Sequence, residues 1–404
     1  MKVISTEKIP IKLWLDDIED GALAQAKNLA NLPFAFKWIS IMPDTHQGYG
    51  MPIGGVMATN KVIIPNAVGV DIGCGMCAVK TSLTEINTDT LKKIMGEIRK
   101  VIPVGPDHQK EEQDENLMPK FEDNKVVMRT MTRFLETQDY KIVSEQYLSA
   151  LKQIGTLGGG NHFIEIQKGS DGHIWIMLHS GSRNIGLKVA NYYNKLAQEL
   201  NAKWHSSVDR KWELAFLPMD SKEGRNYIKE MNYCVNFALA NRDLMMDRII
   251  ECFRKEFIIK NRIEVITFDE TINIAHNYAK MENHFGQNVM VHRKGATLAT
   301  KDTIGIIPGS QGTKSYIVKG LGNPDSFNSC SHGAGRKMSR KEAINTLDLE
   351  KEKKKMKGII HGLRNKTDLD EAPSAYKDIS VVMENQKDLV EILVELTPLA
   401  VIKG

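Results

Sequence analysis

The chain has 404 residues, which is enough for two or three domains or one large one, and a chain of this length folds without disulfides or structural metals. Its composition, 42% hydrophobic and 26% charged residues, is that of a globular protein and excludes wholesale disorder. The formal net charge is only +4. That small excess excludes a polycation and an acidic tail protein, while it allows a locally basic groove.

The cysteines and the apolar segments indicate a cellular compartment. Five cysteines at irregular spacing do not form a disulfide framework, and they favour a reducing environment. The first residues lack the continuous apolar core of a secretory signal. No stretch approaches the roughly 18 uncharged apolar residues of a membrane span. We therefore expect a cytoplasmic protein that does not enter a membrane.

The first part of the chain is predicted to alternate between short strands, helices and loops broken by Gly and Pro. The predicted elements are strands and turns over residues 36–81, a helix capped by Thr88 or Asp89, an exposed charged loop over Lys110–Asn124, a helix over residues 143–154, and strands over residues 162–167 and 173–179.

The second part is predicted to begin with helices. The predicted elements are helices over residues 185–200 and from a cap at Ser221, strands over residues 288–293, 303–307 and 315–319, and helices over residues 336–356 and 388–396. Because no regular βαβ rhythm appears, the pattern favours an α+β fold. The helical region, about 185–283, could be an insertion, but no Pro- or Ser-rich linker flanks it. We expect one large domain over residues 1–404, with mixed β-sheets surrounded by helices.

The first chemical cluster is the glycine-rich segment Asp71–Cys77. Glycines allow the Asp71 carboxylate and the Cys74 thiol to turn toward one point, and that pair suits a divalent transition metal better than Mg²⁺ or Ca²⁺. Two alternatives remain open. Cys74 and Cys77 could form a redox pair, although such a pair usually opens a helix, or Cys74 could be a buried thiol in a glycine turn.

Three histidines are further candidate metal ligands. His162 follows three glycines, His179 ends an apolar strand, and His276 lies in the helix-like apolar stretch Ile274–Tyr278. Taken alone, His162 and His276 are more often satisfied core histidines than ligands, and His179 fits an ordinary strand-to-helix turn equally well. Together with the first cluster, they make a ligand set that a transition metal accepts.

Three further segments could bind anions or carry a covalent group. Ser180–Arg183 precedes a helix and suits an anion, and Ile307–Ser315 can donate N–H and hydroxyl groups to phosphates without matching the P-loop motif. His332 is followed by Arg336 and Lys337, and nearby positive charge favours a neutral, nucleophilic imidazole. Connecting turns and a glycine-rich helix cap remain alternative explanations of these segments.

In combination, eight segments resemble the RtcB family of RNA ligases, and they occur in the family's order. They are Met42–Gly50, Asp71–Gly75, Gly159–Glu165, His179–Arg183, Ala275–Asn277, Pro308–Ser310, Ser331–Arg336 and Val401–Gly404. The matches reach from residue 42 to the C-terminus. A single match of this kind would not be specific for the family, whereas eight matches in the family's order are.

The resemblance implies a ligase that joins a 2′,3′-cyclic phosphate or 3′-phosphate RNA end to a 5′-hydroxyl end, in tRNA splicing or RNA repair. It implies GTP and two Mn²⁺ ions as co-substrate and cofactor, with His332 as the catalytic residue that carries GMP. The implied metal ligands are Asp71, Cys74 (bridging), His162, His179 and His276. The implied GTP-binding residues are Asn161, His162, Phe163, Ile164, Glu165, His276, Asn277, Pro308, Gly309, Ser310, Gln311, Ser315, His332, Gly333, Ala334, Gly335 and Lys403.

The resemblance also implies finer roles. Glu165 and Lys403 would read the guanine edge, Tyr376 is expected to stack on the base, and Arg183 and Asp44 would serve the RNA ends or the activation steps. Thiolate and imidazole ligands fit Zn²⁺ better than Mn²⁺ by affinity order. The assignment of Mn²⁺ therefore comes from the resemblance and not from ligand chemistry.

Two other functions remain open on the sequence. A dinuclear metallohydrolase of phosphate esters would need the metal set but not His332, Glu165 or Lys403. A protein that holds RNA ends without chemistry could use the basic residues between Lys337 and Lys357. Of the three, only the ligase would become covalently labelled by GTP.

Overall fold

The computed structural model of the chain describes residues 1–121, 139–258 and 266–404. The end of the predicted charged loop, residues 122–124, lies outside these ranges. The described part of that loop holds one short 3-10 turn, Glu115–Leu117. No helix within the described ranges is both long and apolar enough to cross a membrane. All five cysteines are buried and form no disulfide.

Within the described ranges, the strands form two large sheets and two small pairs. They are β1 (Lys2–Ile4), β2 (Ile11–Leu13), β3 (Ala35–His46), β4 (Ile53–Thr59), β5 (Val62–Ile63), β6 (Gly75–Lys80), β7 (Phe163–Gly169), β8 (Ile174–Ser180), β9 (Leu217–Pro218), β10 (Ile272–Ala275), β11 (Asn277–His284), β12 (Gln287–Lys294), β13 (Ala296–Leu298), β14 (Ile304–Ile307), β15 (Ser315–Gly320), β16 (Ser329–Ser331) and β17 (Val390–Lys403).

The sheet topology is almost entirely antiparallel. The six-stranded sheet has the order β1-β2-β3-β4-β12-β11, and the seven-stranded sheet has the order β10-β6-β8-β7-β17-β15-β14. The small pairs are β13-β16 and β5-β9. Among the strands described, only β2 and β3 pair in parallel. The predicted α+β fold with mixed sheets is confirmed.

Helices cover the sheets. They are α1 (Asp20–Ala30), α2 (Pro65–Val68), α3 (Thr88–Val101), α4 (Lys141–Leu151), α5 (Arg183–Lys203), α6 (Lys222–Ile258), α7 (Arg340–Thr346), α8 (Leu349–Lys355) and α9 (Ile379–Glu384). The apolar face of α3, with Leu91, Ile94, Met95 and Ile98, is buried. Its cap is Asn87, one residue before the predicted position, and its side chain accepts a hydrogen bond from the N–H of Thr90. Ser221 caps α6 as predicted, since its hydroxyl accepts from the N–H of Gly224.

The long helix α6 lies behind the seven-stranded sheet. Its first half packs in one apolar cluster with α4 and α5 through Met231 and Phe237. Its second half packs against α3 and strands β6, β7 and β8 through Ile249 and Phe253. Apolar residues on most sides of the helix are buried, as expected for a helix between two layers. The middle of α6 packs against the segment that precedes β6, since an added Cβ at Gly73 would contact Val235 and Ala238.

Four neighbouring strands of this sheet bring their ends to one edge. The register places Gly75 opposite Ala275 and Ser180, and Phe163 opposite His179. Because antiparallel neighbours alternate in direction, β6 and β7 begin where β8 and β10 end. The predicted metal ligands that flank these strands are consequently brought together by the sheet itself.

Two helix predictions are wrong because strand pairing decided the structure. Residues 388–396 carry apolar residues at a spacing that also fits a helix, but Val390–Lys403 is a strand paired with both β15 and β7. Residues 274–278 are the end of β10 and the start of β11, with His276 between them. Short apolar runs are ambiguous between the two periods, and long-range partners resolve them.

The basic region 336–356 is also not the single helix predicted. It forms α7 and α8, separated by Leu347 and Asp348. The side chain of Asp348 accepts a hydrogen bond from the N–H of Lys351 and so caps the second helix. An Asp in this position competes with continuous helix because it bonds to the backbone of the next turn.

Candidate metal and nucleotide site

An open cleft of about 1220 Å³ is lined by residues from both large sheets. The predicted site residues that line it are Asp71, Cys74, Asn161, His162, Phe163, Glu165, His179, His276, Asn277, Pro308, Gly309, Ser310, Gln311, His332, Gly333, Ala334, Gly335, Tyr376 and Lys403. Arg183, described below, and three other residues do not line it. Ile164 points into the apolar core, Ser315 is buried beneath the loop that precedes it, and Asp44 is fully buried behind His332.

Two overlapping ligand sets share Cys74. Its Sγ lies 3.2 Å from Nε2 of His179 and 3.5 Å from Nε2 of His162. Nε2 of His179 lies 3.4 Å from Nε2 of His276, and Nε2 of His162 lies 3.2 Å from Oδ2 of Asp71. One set is therefore Cys74 with His179 and His276, and the other is Cys74 with Asp71 and His162.

The histidine tautomers fit metal binding. Nδ1 of His179 lies 3.0 Å from the carbonyl oxygen of Asn161, and a carbonyl only accepts, so Nδ1 carries the proton and Nε2 presents a lone pair. Burial lowers the pKa of His179 and of His276 well below the usual value, which favours neutral imidazoles. Two nitrogens bound to one ion at about 2.1 Å in tetrahedral geometry lie about 3.4 Å apart. The spacing between the two Nε2 atoms matches this value.

The acidic members of the cluster also fit a cation. Burial raises the pKa of the Cys74 thiol well above its usual value, and the Asp71 carboxylate raises it further. Asp71 itself has a pKa lowered to about 2, because the hydrogen bond and charge of His162 outweigh the effect of burial, which acts in the opposite direction. A divalent ion would stabilise the thiolate. The donor set of carboxylate, thiolate and three imidazoles thus fits two transition-metal ions.

His332 stands beside this cluster and is held by Asp44. Its ring lies 4.7 Å from the ring of His276, centre to centre. Oδ2 of Asp44 accepts hydrogen bonds from Nδ1 of His332 at 2.6 Å, from its backbone N–H at 3.1 Å, and from the N–H of Gly333 at 3.2 Å. This pattern places the ring proton on Nδ1 and leaves the lone pair on Nε2.

The partner of His332 differs from the sequence expectation. Of the cations that follow it in the sequence, Arg336 pairs with Glu371 at 3.0 Å. A buried carboxylate orients the imidazole instead. Asp44 lies on β3, far from His332 in the sequence, so local charge could not have revealed the pair.

A chain of hydrogen bonds links β7 to the loop 308–314. Nε2 of Gln167 donates to Oε2 of Glu165 at 2.7 Å and to Oγ of Ser315 at 3.2 Å. The hydroxyl of Ser315 also accepts from the N–H of Gly309 at 3.1 Å. Ser315 therefore holds the loop and, through Gln167, the carboxylate of Glu165.

The loop 308–314 uses part of its donors internally. The N–H of Ser310 donates to Oγ1 of Thr313 at 2.7 Å, and the N–H of Gly309 is already bonded to Ser315. The side-chain amide of Gln311 donates to the carbonyl of Glu371 at 2.8 Å. These hydrogen bonds hold the loop as one wall of the cleft. The N–H groups of Gly309 and Ser310 are already bonded and are therefore not free to bind a phosphate.

Glu165 and Lys403 lie in the same corner of the cleft. Glu165 is 2% exposed, and burial raises its pKa to about 8, while Lys403 and Gln167 act in the opposite direction. Burial lowers the pKa of Lys403, and Glu371 and Asp370 act against that shift. A carboxylate acceptor and an amine donor at one end of a cleft can bind a planar ring that offers both donors and acceptors.

Sequence reasoning missed the residues that build this corner from the other side. Glu371 is 2% exposed, pairs with Arg336 and with Arg340 at 2.7 Å, and accepts a hydrogen bond from the hydroxyl of Tyr376. Arg336 also lies over the ring of Tyr376, at 5.2 Å. The sequence around 371 reads as a polar turn and carries no motif, so only the contacts reveal its role.

Sequence reasoning also missed two further cleft residues, Lys294 and His46. Lys294 is buried and donates to the carbonyls of Tyr49 at 2.7 Å and Asn66 at 3.0 Å, and burial lowers its pKa to about 7. Burial also lowers the pKa of His46 to about 4. His46 belongs to a segment that the resemblance covers, so that motif was the available signal. Lys294 had none beyond its place before Gly295.

Arg183 lies behind the metal residues. It begins α5 with a φ of 60°, a conformation rare for residues with a side chain. Its Nε donates to Oγ1 of Thr156 at 3.1 Å. An added Cβ at Gly158 would clash with both the Arg183 guanidinium and Nδ1 of His162, so these two groups flank Gly158. Arg183 is thus fixed close to the cluster.

Comparison with known proteins gives matches along the whole chain. The family model for RtcB, tRNA-splicing ligase RtcB, matches residues 25–404. The chain is 38% identical to the RNA-splicing ligase RtcB of Escherichia coli (strain K12), over 100% of this chain and 99% of that protein. It is 31% identical to the tRNA-splicing ligase RtcB of Pyrobaculum aerophilum, over 98% of this chain and 95% of that protein.

Proposed function

The chain belongs to the RtcB family of tRNA-splicing ligases and is an RNA ligase, and from this we propose that it joins 3′-phosphate or 2′,3′-cyclic phosphate RNA ends to 5′-hydroxyl ends with GTP and Mn²⁺. The observation that carries the proposal is the position of His332, whose imidazole is held by Asp44 at 2.6 Å and lies next to the metal-ligand cluster. A phosphatase would not need a second, separately oriented imidazole there.

In the first step His332 carries the nucleotide. Nε2 of His332 attacks the α-phosphorus of GTP, the bond from that phosphorus to the bridging oxygen breaks, and pyrophosphate leaves. The ring proton stays on Nδ1, where the Asp44 carboxylate stabilises the positive charge that develops on the imidazole. The product is a phosphoramidate of GMP on His332.

In the second step the nucleotide moves to the RNA. An oxygen of the RNA 3′-phosphate attacks the phosphorus of the phosphoramidate, the P–N bond breaks, and the imidazole leaves. In the third step the 5′-hydroxyl oxygen attacks the RNA 3′-phosphorus, GMP leaves, and the hydroxyl proton passes to solvent. A 2′,3′-cyclic end must first be opened by water to a 3′-phosphate.

Two Mn²⁺ ions would be held by Asp71, Cys74 and His162 on one side and by Cys74, His179 and His276 on the other. When bound, they neutralise phosphate charge and polarise the phosphorus–oxygen bonds. The protein orients the reacting groups: β8 and β10 place the histidines, and Asp44 fixes the nucleophile.

The corner formed by Glu165 and Lys403 would bind guanine. An ionised Glu165 accepts from N1–H and the exocyclic amine of guanine, and Lys403 donates to O6. Adenine has no N–H pair for the carboxylate and presents a donor to the ammonium. Buried polar sites of this kind discriminate by up to about 10⁴-fold. Tyr376 lines the same cleft, and we propose that it contacts the base.

The decisive experiment uses GTP labelled at the α-phosphate. The purified protein with Mn²⁺ should acquire an acid-labile label, and His332→Ala should acquire none while still binding GTP and metal. A label that persists on another residue contradicts the assignment of His332. Complete absence of label in the wild type, with release of phosphate from RNA ends, would favour a metallohydrolase instead.

A further inference from the structure

Helix α6 places one fully buried arginine directly behind the metal-ligand cluster. The Arg242 side chain is 0% exposed. Its Nη1 donates to the carbonyl of Gly73 at 2.9 Å and to the carbonyl of Ser180 at 2.8 Å. Its Nε donates to Oδ1 of Asn273 at 2.7 Å. One guanidinium therefore bonds to three separate chain segments.

Each of these segments supplies one ligand of the same set. Gly73 precedes Cys74, Ser180 follows His179, and Asn273 lies on β10 three residues before His276. Cys74, His179 and His276 form one of the two candidate metal groups. The planar, rigid fork of the guanidinium fixes these three segments relative to one another.

The location of Arg242 is energetically unfavourable without such a role. Within the described residues, Arg242 forms no ion pair with a carboxylate, and its Nη2 has no hydrogen-bond partner. The nearest acidic side chain on its own helix, Asp243, accepts instead from Nδ2 of Asn273 at 2.7 Å. Burial lowers the pKa of Arg242. A buried cation and an unmatched donor each cost free energy. The three hydrogen bonds that Arg242 makes therefore have to offset this cost.

The packing of α6 leaves little freedom at this point. Gly73 has a φ of +75°, and an added Cβ there would lie 2.8 Å from the Cα of Val235 and 2.9 Å from the Cβ of Ala238. The turn before Cys74 therefore rests directly on the helix. Asn241, the residue before Arg242 on the helix, accepts from the N–H of Gly155 at 2.7 Å. Its side-chain amide donates to Oγ of Ser180 at 3.2 Å and to the carbonyl of Gly181 at 3.3 Å, so it also holds the segment after His179.

We propose that Arg242 is a positioning residue for the metal ion held by Cys74, His179 and His276, and that it sets the separation of these ligands through Gly73, Ser180 and Asn273. The inference rests on the proposed metal site. Residues that orient ligands from behind change metal affinity by about 10–100-fold. The effect should be larger on this ion than on the one held by Asp71, Cys74 and His162, because Arg242 bonds beside all three ligands of the first set but beside only Cys74 of the second.

The test compares the full-length wild type with Arg242→Lys, Asn273→Ala and a control, Arg248→Lys. Arg248 lies on the same helix and also bonds to a backbone carbonyl, that of Gly155 at 2.9 Å. Metal-free protein is titrated with Co²⁺, and the two dissociation constants, the thiolate charge-transfer band and the visible bands are recorded. Thermal unfolding of the metal-free proteins is measured in parallel.

We expect wild type and Arg248→Lys to bind two ions, and Arg242→Lys to bind one of them about 10–100-fold more weakly. Asn273→Ala, which removes one of the three bonds, should weaken the same ion by a smaller factor, and it carries the test if Arg242→Lys does not fold. A lower melting temperature with both dissociation constants unchanged would overturn the proposal, since the role would then be only structural. A wild type that binds no ion would refute the metal site itself and this inference with it.

Discussion

Oδ2 of Asp44 and Nδ1 of His332 lie 2.6 Å apart, and the same oxygen also accepts the backbone N–H of His332 at 3.1 Å. The two residues come from opposite ends of the chain, and Asp44 is fully buried. An imidazole with its Nδ1 proton held in this way has one reactive nitrogen, and that nitrogen is Nε2.

The first prediction concerns this pair. Asp44→Asn keeps the size of the side chain but removes the charge that stabilises the imidazolium, and an amide nitrogen facing Nδ1 favours the wrong tautomer. We expect the single-turnover rate of GMP transfer to the protein to fall by about 10³-fold or more, with two metal ions still bound. Asp171→Asn, a change near the far end of β8, should have no such effect. A rate within threefold of wild type would show that Asp44 does not orient the nucleophile.

The second prediction separates the two cysteines of the glycine-rich segment. Cys74 shares both ligand sets, whereas Cys77 is buried in the apolar cluster with Ile164 and Leu178. Cys74→Ala should therefore remove both ions. Cys77→Ala should keep them and lower the free energy of unfolding by roughly 1–2 kcal/mol through a small cavity.

The check is the number of Mn²⁺ ions per chain after dialysis, by elemental analysis, together with denaturant unfolding. Equal loss of metal from both variants would instead support a role for Cys77 in the site and reopen the redox-pair interpretation.

The third prediction follows from the pKa of Glu165, which burial raises to about 8. Below that pH the free carboxyl is protonated, and a protonated carboxyl cannot accept from both N–H groups of guanine. Binding of guanine therefore costs a deprotonation at low pH, and affinity should rise by close to tenfold per pH unit from about pH 6 to 8, then level off.

Calorimetric titration with a non-hydrolysable GTP analogue from pH 6 to 9 measures this slope. The matching ATP analogue corrects for titration of the phosphates and of other groups. Glu165→Gln should bind the GTP analogue weakly, and its affinity should not show the additional rise with pH. A GTP-minus-ATP difference that does not vary with pH would contradict an ionised Glu165 in the complex.

The fourth prediction concerns Lys403. Lys403→Met should lower the preference for GTP over ATP in adduct formation by about 10–100-fold, with metal content unchanged, and Lys403→Arg should restore part of it. Substitution is a cleaner test than truncation, because the N–H of Gly404 donates to the carbonyl of His162 at 3.2 Å. An unchanged preference in Lys403→Met would mean that this amine does not read the base.

The sequence predicted the cluster better than its surroundings. Asp71, Cys74, His162 and His179 each stand beside glycine or at the end of an apolar strand, so a local signal existed for every one of them. His276 was found, but in the wrong element, since Ile274–Tyr278 has the apolar content of either a helix or a strand. What decided it was pairing of β10 with β6, which no local pattern contains.

The contacts that orient the site were not predictable in the same way. The pairing of Glu371 with Arg336, and the bonds from Arg242 to Gly73 and Ser180, join residues distant in sequence. Glu371, Arg336 and Arg242 are charged, and charged residues usually lie on the surface. Only the folded arrangement shows that Glu371 and Arg242 are buried and that all three are bonded.

Strand β17 also has a consequence for how the protein is made. It lies between β7 and β15, pairing with the first through its C-terminal half and with the second through its N-terminal half. While a ribosome is still translating the chain, both of those strands are complete but each has one unpaired edge. Exposed edges of this kind pair readily with other chains, and pairing across such a long separation is slow. The nascent protein should therefore depend on chaperones until its last strand emerges.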